Sequence, residues 1–162
     1  MPKAKVVLYG KSEVGKSTLV RQLIPEAVNI NHDGRTIAMD YGLVHFGNCS
    51  FHIFGTPGQP HFRPVREVIS QGMDIAILVV DSTRCFDEED RNLLMELDLV
   101  KVPYIIFLNQ KPEKTSKKST IQASLPDFSR PFSFVEGSAK TGEGMNDLLK
   151  ALRGSIGLQS RR

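Results

Sequence analysis

The segment Gly10-Lys11-Ser12-Glu13-Val14-Gly15-Lys16-Ser17 decides how this chain folds. It matches the spacing GxxxxGK[ST], and its flanks are those the spacing requires. Before it, residues 5–9 (KVVLY) form a short apolar run of the kind buried strands carry. After it, Leu19, Val20, Leu23 and Ile24 recur at helical spacing until Pro25 stops them. A strand, a glycine-rich turn and a helix therefore follow one another. In that order the glycines let backbone N–H groups close around phosphate oxygens. The helix N-terminus adds its dipole. Lys16 is placed to reach β- and γ-phosphates, and Ser17 to offer a hydroxyl to Mg2+.

Outward from this segment, residues 37–46 and 51–54 read as strands, with Gly47-Asn48 as a hairpin turn between them. Residues 74–81 (DIAILVVD) and 102–108 are buried strands, and 132–136 is a last one. Residues 65–71, 87–97 and 144–156 read as helices. The second has an acidic first turn, as the helix dipole favours. The third carries Met145, Leu148, Leu149, Leu152 and Ile156 on one face. Residues 29–35 (NINHDGR) and 55–60 read as loops, and 110–131, with Pro112, Pro126 and Pro131, as mostly irregular. Continuous apolar strands alternating with helices predict an α/β fold: one P-loop domain over residues 1–162. Its mostly parallel sheet has about six strands, helices on both faces and one antiparallel edge strand.

Bulk composition narrows the classes. A chain of 162 residues suits one domain. Its net charge of +3, from 21 basic and 18 acidic residues, is too small to argue for nucleic acid. Lys111, Lys114, Lys117 and Lys118 read as a solvated loop. The longest apolar run, 75–80, is too short to span a bilayer. No signal peptide fits the first residues, Pro2 excludes N-myristoylation, and the terminal QSRR is no prenylation box. The expectation is a cytoplasmic protein with no lipid anchor. Cys49 and Cys85 lack metal-ligand spacing and read as reduced thiols.

With the phosphate loop placed, the chain from about Lys5 to Ile156 resembles the Ras-like small GTPases. Thr36, in Gly34-Arg35-Thr36-Ile37, stands where that family puts the switch I threonine, which binds Mg2+ through its hydroxyl and the γ-phosphate through its backbone. Gly58-Gln59 is similar to the end of switch II, where the glycine N–H meets the γ-phosphate and the glutamine orients the attacking water. Asn109 stands where the guanine-recognition motif begins, and Ser138-Ala139-Lys140 is similar to the second base-binding loop.

Two positions depart from the family pattern. Position 55 is Gly where the pattern has the Asp that holds a Mg2+ water. The stretch Phe54-Gly55-Thr56-Pro57-Gly58-Gln59 resembles a bacterial and archaeal branch that reads FGTPGQ there, and residues 36–42 (TIAMDYG) agree. Ser17 and Thr36 remain as metal ligands, and Asp81 reads as a helix cap. The base motif Asn-Lys-x-Asp is here Asn109-Gln110-Lys111-Pro112. Pro112 cannot accept guanine's N1–H and amino hydrogens, and Glu113 comes one residue late. Ala139 keeps a backbone N–H for guanine O6. Losing the paired contact narrows discrimination between bases by about 1–3 kcal/mol.

The resemblance implies a molecular switch that binds GTP and GDP with Mg2+ and slowly hydrolyses GTP. Lys16 and Gln59 would act in catalysis. Arg35, beside Thr36, is a candidate arginine for the transition-state charge. Ser12, Glu13, Val14, Gly15, Lys16, Ser17, Thr18, Thr36, Gly58, Asn109, Lys111, Ser138, Ala139 and Lys140 would touch the nucleotide. A regulatory or effector protein would read the switch segments, where Arg63, Arg66 and the apolar Phe62, Pro64 and Val65 follow Gln59. Two alternatives stay open: a pseudo-GTPase scaffold, for which Gly55 and Pro112 speak, and an NTPase of relaxed base specificity that takes ATP.

Overall fold

Strand β1 (Lys3–Tyr9) is apolar on both faces because both faces are covered. Its side chains alternate as a pleated strand requires. Ala4, Val6 and Leu8 enter one core with Leu19, Val20, Leu148 and Leu152; Val7 and Tyr9 enter a second core with Leu93, Leu94 and Leu97. The structure, a computed structural model, describes residues 2–24, 28–32, 35–57, 62–111 and 113–159, with the backbone alone for 28–32, 35–39, 158 and 159.

After β1 come α1 (Lys16–Leu23), β2 (Val28–His32), β3 (Arg35–Phe46) and β4 (Cys49–Gly55). Then follow α2 (Arg63–Ile69), β5 (Ile75–Asp81), α3 (Glu88–Val100) and β6 (Tyr104–Asn109). The chain closes with α4 (Lys118–Ser124), β7 (Ser133–Gly137) and α5 (Met145–Gln159). The strands of the described residues form one seven-stranded sheet in the order β2-β3-β4-β1-β5-β6-β7. Pairs β4–β1, β1–β5, β5–β6 and β6–β7 are parallel, and β3 runs against both β2 and β4. The α/β class expected from the sequence is borne out, with one strand more than the six counted there. The antiparallel strand lies one place in from the edge, with β2 outside it.

The extra strand falls in residues 29–35, read from sequence as a loop. β2 (VNINH) is polar because it pairs only with β3 at the rim of the sheet, so no continuous apolar run marks it. Helix α4 also went unread, inside the stretch expected to be irregular. Its seven residues bury only Ile121, which leaves no periodic signal. Among the described residues no helix is long and apolar enough to cross a membrane.

The connection that reverses direction about β1 sends β4 to one side of it and β5 to the other. At such a switch point an open crevice forms beyond the carboxyl ends of the strands. Gly10, Gly55, Asp81, Asn109 and Gly137 all end or follow strands on that edge.

Candidate functional site

The turn between β1 and α1 is shaped by two residues with left-handed backbone, Glu13 (φ 67) and Gly15 (φ 106). A left-handed residue among right-handed neighbours turns successive N–H groups inward, the arrangement that receives an anion. Gly15 is the N-cap of α1 and offers no side-chain acceptor, so the first-turn N–H donors stay available to a ligand. A β-carbon on Gly15 would collide with the Asn109 carboxamide, so close approach as well as φ requires glycine.

Lys16 Nζ donates to the carbonyls of Gly10 and Lys11, each at 2.6 Å, which holds the ammonium under the loop. Burial first, and then the nearby Arg66 guanidinium, lower its pKa to about 8. The other loop lysine, Lys11, anchors the loop to the start of α3, 2.8 Å from Asp87 and 3.3 Å from Asp90. Those two carboxylates form the capping box of α3. Burial raises the Asp90 carboxyl to about 6 against the pull of Lys11.

At the other end of the crevice, Asn109 joins two loops. Its Nδ2 donates to Val14 O at 2.8 Å, and its Oδ1 accepts from the Ala139 N–H at 2.9 Å. Ala139 N–H, expected to face a guanine oxygen, is therefore engaged by the protein. Gln110 turns away and donates to Glu136. Lys111 lies 2.8 Å from the buried carboxylate of Asp81. Asp81, read from sequence as a helix cap, instead accepts from Thr83 N and Oγ1 and pairs with Lys111, while Asp87 caps α3.

Two adjoining cavities open on this edge. One, of 390 Å³, is lined by Ser12, Glu13, Gly15, Lys16, Ser17, Thr18, Thr56 and Pro57. The other, of 350 Å³, is lined by Glu13, Val14, Gly15, Thr18, Asn109, Gln110, Lys111, Glu113, Lys114, Ala139 and Lys140. They share Glu13, Gly15 and Thr18, so they form one trough of ligand-pocket size. Of the residues expected from sequence, Ser12 to Thr18, Asn109, Lys111, Ala139 and Lys140 meet there. Ser138 does not reach the trough. It is buried, and its hydroxyl accepts from Thr141 N within its own turn. Arg35 and Thr36 are described by backbone only, paired with His32 and Asn31 in the β2–β3 hairpin. Gly58, Gln59 and Pro112 lie outside the described residues.

Sequence reasoning missed Asp40. It is 4 % exposed and sits on β3 beside Gly55, whose built β-carbon would lie 3.8 Å from that of Asp40. Arg21 of α1 is 3.6 Å from its Oδ1, which accepts no hydrogen bond. Counting outward from the Gly47-Asn48 turn would have set Asp40 against Gly55 and found it. Thr56 and Pro57 were missed as phosphate-cavity residues, having no motif role of their own.

The strand–loop–helix unit and the trough beyond the sheet define a P-loop nucleotide-binding domain. The chain belongs to the family described as 50S ribosome-binding GTPase, which matches residues 5–110. The uncharacterized Methanocaldococcus jannaschii protein MJ1339 is 34% identical over 91% of this chain and 94% of its own length. GTPase Era of Crocosphaera subtropica is 28% identical over 91% of this chain, which spans 51% of Era. GTPase Der of Novosphingobium aromaticivorans is 27% identical over 94% of this chain, which spans 35% of Der. In fold, the G domain of the T. maritima FeoB iron transporter superposes with a TM-score of 0.73 at 23% identity, covering 95% of this chain and 99% of that one. Membership of that family makes this a GTPase domain.

The lowered Lys16 pKa has a measurable sign. A bound polyphosphate stabilises the ammonium and raises its pKa again. Above pH 8 the free protein has lost a proton that the complex keeps, so binding takes one up, and affinity falls by up to about tenfold per pH unit. Stability of the free fold has the opposite slope. Unfolded Lys16 keeps its proton up to 10.5, so stability rises with pH from about 8 to 10.5. Calorimetric titration with GTP at about pH 9, in two buffers of different ionisation enthalpy, should register the uptake. Buffer-independent heat would return Lys16 to its ordinary pKa.

Proposed function

We propose that this chain is a GTP-dependent switch that binds GTP and GDP with Mg2+ in the trough and slowly hydrolyses GTP. The observation that carries the reading is the Asn109 carboxamide, which ties the phosphate loop to the 138–140 turn where the two cavities meet. The phosphates take the cavity over α1 and the base takes the other. In the base cavity Lys140 N–H is the donor for guanine O6, since it has no partner among the described residues while Ala139 N–H is engaged. Glu113 lines the same cavity, as Glu13 does, and offers a carboxylate to guanine's N1–H and amino group.

The residues fit a Mg2+ ion. Ser17 lines the phosphate cavity, and Asp40 offers a buried carboxylate oxygen without a hydrogen-bond donor, beside the glycine that replaces the family Asp. Ser17 and Thr36 would hold the ion by their hydroxyls, and Asp40 would act through a water, in keeping with a small hard cation that retains most of its hydration. When bound there, Mg2+ would supply positive charge against the phosphate oxygens of the nucleotide. Water attacks the γ-phosphorus in line with the leaving β–γ oxygen. Gln59 orients that water, Lys16 stabilises the leaving oxygen, and Arg35 approaches the γ-oxygens as charge develops. The γ-phosphate holds Thr36 and Gly58, and a regulatory or effector protein reads the segments around them. A base preference weaker than the family's is favoured by one observation, the engagement of Ala139 N–H by Asn109.

Single-turnover hydrolysis tests the assignment. Gln59→Leu and Arg35→Ala should each slow it, the former on the order of a hundredfold, without weakening GTP binding. Wild-type rates in both would remove these residues from the mechanism. Asp40→Asn keeps the side chain's size and loses its charge. It should raise the Mg2+ concentration needed for half-maximal GTP retention by about tenfold. An unchanged Mg2+ titration would leave the metal to Ser17 and Thr36 alone.

A further inference from the structure

The phosphate loop carries two lysines, Lys11 and Lys16, and they are joined. Lys16 lines the phosphate cavity, and its Nζ donates to the main-chain oxygen of Lys11 at 2.6 Å. The side chain of Lys11 reaches the first turn of α3, where its ammonium lies 2.8 Å from Asp87 Oδ2 and 3.3 Å from Asp90 Oδ2. That side chain is only 12 % exposed. Ordering a lysine stem loses rotamer entropy, and covering its charge loses hydration, so its partners must offset both.

The partners are themselves held. Asp87 N–H donates to Asp90 Oδ2 at 3.0 Å, and Asp90 N–H donates to Asp87 Oδ1 at 3.1 Å, which fixes both carboxylates on the helix backbone. Asp90 is 1 % exposed, and its Oδ1 accepts no hydrogen bond among the described residues, so Lys11 is the cation that offsets its charge. Residue 11 therefore gives an oxygen to Lys16 from its main chain and a cation to α3 from its side chain. We propose that Lys11 is a positioning residue for nucleotide binding: clamped by the α3 capping box, it fixes the main-chain oxygen that aims the Lys16 ammonium at the phosphates. This rests on the phosphates occupying the cavity over α1. An ammonium already held by oxygens of Gly10 and Lys11 has less freedom to lose when a phosphate arrives, and the difference appears as affinity. GTP and GDP share it, because both carry the β-phosphate that Lys16 reaches.

A purely electrostatic role for Lys11 makes the opposite demand. If it were only a nearby positive charge, removing the carboxylates that neutralise it would strengthen the binding of an anion. If it acts by position, removing them weakens binding even though negative charge has been taken away. The test is the affinity for GTP and for GDP by titration calorimetry in Mg2+ buffer at neutral pH, above the Asp90 pKa of about 6. Thermal unfolding of the free protein is followed in parallel. Lys11→Met keeps the stem and removes the ammonium, and should weaken both nucleotides by about fivefold. Lys11→Arg, whose fork can meet both carboxylates, should restore most of that affinity. Asp87→Asn combined with Asp90→Asn leaves each side chain an oxygen for the capping box and removes both charges. This double variant should also weaken both nucleotides, by about threefold. Should it fail to fold, Asp90→Asn alone carries the same test of sign. Tighter binding after loss of the carboxylates would reduce Lys11 to a neighbouring charge. Wild-type affinity in Lys11→Met, whatever its unfolding temperature, would reduce the anchor to an ion pair that serves the fold alone. A wild-type protein that binds neither GTP nor GDP would instead overturn the placement of phosphates over α1, and the proposal with it.

Discussion

The site depends on one side-chain amide. Asn109 stands at the carboxyl end of β6, 7 % exposed, and satisfies both ends of its carboxamide on loops that are far apart in sequence, Val14 on one side and Ala139 on the other. Gly15 passes so close beneath it that no side chain fits. This bracket ties the phosphate loop directly to the 138–140 turn, where the two cavities meet. A buried amide with either end unpaired costs roughly 1–3 kcal/mol, so the three segments hold one another in register.

Around that bracket the positive charge is concentrated and incompletely offset. Among the described residues Lys16 is held by two carbonyls and by no carboxylate, and burial together with Arg66 lowers its pKa to about 8. Lys11 and Lys111, by contrast, are matched to Asp87 and Asp81. The loop's cation that faces the cavity is thus the one left short of negative charge, while its neighbours are neutralised in place. An anionic ligand relieves that shortage, which links the local electrostatics to binding of a polyphosphate.

The phosphate loop was legible because its requirements are local: glycine where φ is positive, a strand before and a helix after. The central strands were legible because burial on both faces leaves a continuous apolar run. What escaped reading depends on partners distant in sequence or on weak burial. β2 is a rim strand of polar residues, and α4 buries a single side chain. Asp40 acquires meaning only from Gly55 across the β3–β4 hairpin, and Lys11 only from Asp87 and Asp90. Ala139, expected from sequence in the second base-binding loop, lines the cavity beside Asn109, and the use of its N–H by Asn109 follows from tertiary geometry that no motif states.

If the cavity between Asn109 and the 138–140 turn receives guanine, GTP competes for it better than ATP does. Displacement of fluorescent GDP by GTP and by ATP, in the same Mg2+ buffer, measures this directly. GTP should displace the probe at the lower concentration, by a margin narrowed by the missing aspartate at position 112 and the engaged Ala139 N–H. Displacement by ATP at an equal or lower concentration would contradict it.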